Sequence, residues 1–119
     1  FSDTWLGEGI AHWLGTQAVE GGVCPEPEPY PGTGSPDLDA WQPEEAASAL
    51  RSWQADAACY IVDVGADVIG VEAMLALVRD LIDAPVPVGT SHWLDGVSRG
   101  LPEGLDRVVS ALEMAGVDH

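Results

Sequence analysis

Five prolines fall within twelve positions of this chain: Pro25, Pro27, Pro29, Pro31 and Pro36. Each fixes φ and removes an amide donor, so the stretch can be neither a continuous helix nor an inner strand. With Gly21, Gly22, Gly32 and Gly34 interspersed, it predicts an extended, polyproline-like loop over 21–42. A loop this long in a compact domain carries function or lacks order. The core must therefore come from the segments on either side of it.

Those segments read as helices. Leu6, Ile10, Trp13, Leu14 and Gln17 recur at three- and four-residue spacing, predicting a helix that begins at Ser2 or Asp3 as N-cap and reaches Glu20. Its other face, Trp5, Glu8, Gly9, His12 and Thr16, is unusual, because a solvated face carries several charges and few glycines or tryptophans. That face is expected to pack on something or to bind it. After the loop, Pro43 suits a first helical position, and Glu44 and Glu45 follow where the helix dipole favours carboxylates.

A helix is predicted from Pro43 to Val64 on the stripe Ala46, Leu50, Trp53, Ala57, Ile61 and Val64, with Gly65 as its stop. Another spans Val71 to Ile82 and ends at Pro85 and Pro87. Thr90 or Ser91 caps a short helix holding Trp93, Leu94 and Val97. Pro102 opens a last one through Leu105, Val108, Val109, Leu112 and Ala115, closed by Gly116. No segment sustains the alternation of a strand. The expectation is a single helical domain over 1–119, all-α, with about five helices and one long Pro/Gly-rich loop.

Charge excludes several functions. Twenty acidic residues against four arginines give a net charge of −16, and there is no lysine. Phosphate recognition needs clustered cations, whereas Arg51, Arg79, Arg99 and Arg107 are dispersed. Nucleic acid is not an expected partner, nor is an anionic membrane surface. No apolar run approaches the length that spans a bilayer. Cys24 and Cys59 are sufficient for one disulfide but do not define a disulfide framework. Extracellular and cytoplasmic settings both remain open.

The segment Asp3-Thr4-Trp5-Leu6-Gly7-Glu8-Gly9-Ile10-Ala11 resembles the Trp-Leu-x-Glu-Gly-x-Ala helix of gluzincin zinc metallopeptidases, the group of the M1 aminopeptidases and peptidase-MA-like families. In that group the Glu is the third zinc ligand, one helix downstream of a His-Glu-x-x-His helix that supplies two ligands and the general base. By position the resemblance implies Glu8 as a metal-binding carboxylate. A carboxylate on a rigid helix suits a two-His, one-carboxylate zinc site. The family's later order, a variable loop, an Ala-rich helix, a Gly and an amphipathic helix, is matched in pattern by Ala55 to Leu81 around Gly70. The resemblance implies the helical half of a gluzincin catalytic domain, with zinc as cofactor and a peptide as substrate.

Two departures qualify what that implies. The histidines, His12, His92 and His119, do not form a His-Glu-x-x-His, so the chain would be inactive without such a segment from upstream polypeptide or a second chain. The chain opens on Phe1 and reaches a helix at once, which fits part of a larger catalytic domain. Secondly, M1-type enzymes place an oxyanion-stabilising Tyr at the start of the Ala-rich helix, and here the nearest is Tyr60, further along.

Other candidates come from the residues alone. Glu8 and His12 are four apart and share a helix face, giving half of a metal site; His92 is a conceivable third donor. Trp5 and Trp41 are the tryptophans expected at an interface or ligand groove. Asp37-Leu38-Asp39 and Glu26-Pro27-Glu28 lack the spacing of a Ca²⁺ loop. Phosphate-loop, nucleotide-fold and serine-elbow motifs are absent. The competing expectation is a non-catalytic acidic helical module that binds a protein partner through the Trp5, Glu8, His12 face and the loop.

Overall fold

The computed structural model describes residues 1–19, 22–32, 34–40 and 48–118. Every regular element among them is helical, in agreement with the all-α expectation. The order is α1 (Thr4–Gln17), α2 (Ser48–Ile69), α3 (Val71–Asp83), α4 (Thr90–Gly100), a 3₁₀ turn (Pro102–Gly104) and α5 (Leu105–Met114). The predicted start of the second helix at Pro43 lies outside the described residues.

The fold is built around α2, and its sequence explains why. Ala57, Ala58, Gly65 and Ala66 are all buried, so neighbouring helices can approach its axis closely. Gly65 was expected to stop this helix; instead the helix runs through it to Ile69. A Cβ at Gly65 would lie 2.8 Å from Met74 Cε and 2.8 Å from Trp93 Cζ2, so this glycine makes room for α3 and α4. The break falls at Gly70, whose φ of 93° suits glycine. Behind it the 4-3-4 spaced apolar residues of α3 are followed by Pro85 and Pro87, which end the helix as predicted.

On one side of α2 lies α1. A Cβ on Gly9 would sit 2.6 Å from the Ala58 carbonyl oxygen, so the two backbones all but touch. One turn on, the Trp13 indole N–H donates to Asp63 Oδ1 at 3.2 Å. Contacts that advance together along both helices make α1 and α2 parallel, which requires a long return connection, and the Pro-rich loop provides it. On another side α5 runs antiparallel to α2: Gly104 lies under Val68, Arg107 pairs with Asp67 at 2.8 Å, and Tyr60 and Val64 share a groove with Ser110 and Met114.

The loop is fastened at three points. Cys24 and Cys59 form a disulfide with Cα atoms 5.5 Å apart. Tyr30 packs edge-to-face on Trp53 with ring centroids 4.8 Å apart. Leu38 is fully buried, and its amide donates to the Ala115 carbonyl at 2.9 Å. Gly116, at φ 72°, closes α5 against the Pro36 carbonyl.

Three substitutions test this packing. Gly9→Ala should lose about 1–3 kcal/mol in urea unfolding, because α1 must lift off α2. Gly15→Ala, with nothing within 4 Å of the new Cβ, should instead gain up to about 1 kcal/mol of helix propensity. Replacing both cysteines by Ala removes a bridge across 35 residues. The loss expected from chain entropy is roughly 4 kcal/mol.

Candidate functional site

The first helix is held as a rigid platform. Trp5, Leu6, Gly9, Ile10 and Trp13 are its buried residues. Its N-terminus is tied to α4 by a side chain that sequence spacing assigned elsewhere. Asp3 occupies the N-cap position of α1 without capping it. Its Oδ2 instead accepts the Thr90 amide at 2.7 Å and the Thr90 hydroxyl at 2.8 Å, capping α4. Thr90 Oγ1 in turn accepts the Trp5 indole N–H at 3.1 Å, and Trp5 meets Trp93 edge-on with ring centroids 6.0 Å apart.

That network corrects the expectation for Trp5. It is not on an open groove but wholly buried, because Trp5, Gly9 and Trp13 form an i, i+4, i+8 stripe facing α2 and α4. The glycine in the supposed outer face was the misleading residue: it is there to admit the α2 backbone, not to expose a surface. Glu8 and His12 do face outward and are exposed. They share one side of α1, no hydrogen bond joins them, and Glu8 has no ion pair or hydrogen-bond partner among the described residues. The half-site expected from their spacing is therefore an outward-facing carboxylate with an imidazole one turn on.

The remaining candidates are dispersed. His92 lies in the first turn of α4, where its Nδ1 accepts the Gly89 amide at 3.0 Å; it does not join Glu8 and His12. Among the described residues no three His, Cys, Asp or Glu side chains are gathered as a metal site requires. Tyr60 lines the shallow groove with α5, beside Arg107 and Met114, and not the face that carries Glu8. Trp41 lies outside the described residues. One exposed carboxylate and one imidazole suit a zinc ion whose other donors come from elsewhere. They do not make a closed site by themselves.

A second polar cluster was not foreseen. Asp3, Asp37 and Asp118 are close enough to act on Asp39, whose Oδ2 accepts the Asp118 amide at 2.6 Å. Partial burial pushes the Asp39 carboxyl above its ordinary value, the Asp118 amide bond opposes the shift, and the charges of Asp3, Asp37 and Asp118 add to it. No spacing rule unites positions 3, 39 and 118, so only the folded chain assembles them. The same holds for Asp3 and Thr90, separated by 87 residues.

No family model, curated protein or solved structure matches the chain significantly. No helix among the described residues is long and apolar enough to cross a membrane.

The Asp39 environment has a pH consequence. A carboxyl whose folded pKa is raised favours the native state most when protonated, below its unfolded pKa, and that contribution is lost as pH rises through the folded value. Asp39→Asn should therefore raise the melting temperature at pH 7, with the gain shrinking on acidification toward pH 4. A thermal-melt series across that range reads it directly; a gain independent of pH would show that charge is not the cause.

Proposed function

We propose that this chain is the C-terminal helical portion of a gluzincin-like zinc metallopeptidase, in which Glu8 is the metal-binding carboxylate and α1 one wall of the substrate cleft. The observation that carries the reading is the placement of Glu8. Its flanking residues Trp5, Leu6, Gly9 and Ile10 are buried, while its own side chain is exposed and has no partner among the described residues. The backbone beneath this carboxylate is already fixed, so a metal bond costs only the rotamer freedom of the side chain. The matching motif, Trp5-Leu6-Gly7-Glu8-Gly9-Ile10-Ala11, supports the same role.

In this reading Glu8 holds the ion from one side and His12, one turn on, borders it. The paired histidines and the general base come from a His-Glu-x-x-His segment outside these 119 residues or on a second chain. When bound, zinc would supply Lewis-acid polarisation of a peptide carbonyl and a water of lowered pKa. This chain's own share is to orient a ligand and to shape the cleft. Gly9 lets the α2 backbone brace the helix that carries Glu8, and the acidic loop beyond Val19 gives the border of the cleft a negative potential that favours basic peptides.

The test is metal content by mass spectrometry on the protein as isolated, with the intact mass of every polypeptide that co-purifies. Stoichiometric zinc together with a His-Glu-x-x-His polypeptide is expected, and Glu8→Gln should abolish it. Because Glu8 is exposed, that variant should keep the wild-type melting curve to within about 0.5 kcal/mol of stability. Unchanged zinc in Glu8→Gln, or no zinc in the wild type with all partners present, would remove the peptidase assignment and leave the non-catalytic acidic protein-binding module.

A further inference from the structure

Among the described residues, more than half of the exposed large apolar side chains lie in one place. On α3, Val71, Leu75, Val78 and Ile82 follow one another at spacings of four, three and four residues, which puts them on a single seam. Val78 is buried at its base, while Val71 is 45% exposed, Leu75 40% and Ile82 58%. The seam does not stop at the helix end. Ile82 also lines a groove with Phe1, Pro85, Val86 and Pro87, where Phe1 is 46% and Val86 61% exposed. The groove holds about 350 Å³; its side chains are all apolar, and the polar surface between them is main chain. Five of the nine large apolar side chains left exposed among the described residues thus form one continuous strip. Scattered exposed apolar residues need no explanation, but a contiguous strip marks a contact surface.

The charge around the strip selects its occupant. Glu72 and Asp83 stand exposed on the solvent side of the seam, beside the helix's one cation, Arg79, and the chain as a whole carries −16. A second copy would bring another −16 to the same face, whereas a basic partner gains from the field at every approach. The shape is that of a helix seam running into a groove, which fits an amphipathic helix laid apolar side down.

We propose that this strip, Val71, Leu75 and Ile82 continuing to Val86 and Phe1, docks an amphipathic helix whose apolar face is flanked by lysines or arginines. The surface does not include Glu8, and the inference does not rest on the peptidase reading. Apolar burial on Leu75, Ile82 and Val86 supplies most of the affinity, and the acidic flank supplies partner choice and association rate.

The probe is a labelled 21-residue helical peptide with leucines at heptad a and d positions and lysines at e and g, titrated with the full chain by fluorescence anisotropy. A second peptide carries glutamates in place of the lysines. Binding of the lysine peptide at least tenfold tighter than the glutamate peptide is expected. The variant Leu75→Ser/Ile82→Ser/Val86→Ser, which leaves every charge in place, should lose at least tenfold in affinity for the lysine peptide while keeping the wild-type circular dichroism and a cooperative melt. Equal affinity of wild type and triple variant would overturn the proposal, because attraction would then be charge alone. Sedimentation of the wild type as a dimer, abolished in the same variant, would overturn it in favour of a second copy as the occupant.

Discussion

The contact between Gly9 and the backbone of Ala58 governs the rest of the structure. Two helices separated by no side chain at the point of closest approach must have their small residues in register. Here the register sets Trp13 on Asp63 and carries Trp5 to Thr90 and Trp93. The parallel direction of α1 and α2 follows from this contact together with that of Trp13 on Asp63, and it obliges the chain to return the full length of a helix before α2 begins. A loop of extended, proline-stiffened backbone, held by the Cys24–Cys59 bridge and by the buried Leu38, meets that demand. Antiparallel neighbours would have needed only a short turn.

A small-residue central helix has a second consequence. Gly65 admits α3 and α4 on a further side of α2, and Gly96 lies under Leu77 where α4 crosses α3. The large apolar side chains, three fully buried tryptophans among them, then fill the angles between helices in place of the helix contacts themselves. Among the described residues α1 presents a carboxylate without a partner, Glu8, and α3 presents apolar side chains that the core does not cover. They are different surfaces with different chemistry.

Much of the fold was legible in the residues. The 3.6-residue spacing, the prolines and the terminal glycine Gly116 place most helix ends to within a few positions, because these signals act within a turn or two of themselves. Gly65 shows where such reasoning fails. A glycine near the end of an apolar stripe has the same local signature whether it ends a helix or admits a neighbour, and only the presence of Met74 and Trp93 decides between them. Gly9 misled in the same way, by making the Trp5 side of α1 look open. Asp3 is a third case: its position predicts a cap for the helix that follows it, yet Thr90 offers its carboxylate both an amide and a hydroxyl.

The sequence by itself determined the helical class, the loop that interrupts it, the acidic character of the chain, and the pair Glu8 and His12 on one face. Each of these depends on covalent geometry, local spacing or a sum of charges. Tertiary structure alone decided that Trp5 is core and not surface, that Cys24 meets Cys59, that Tyr60 faces α5, and that Asp3, Asp39 and Asp118 share one field. Those outcomes join positions tens of residues apart, and they depend on which helix faces can approach most closely, a property of the packed whole that no short window of the chain contains.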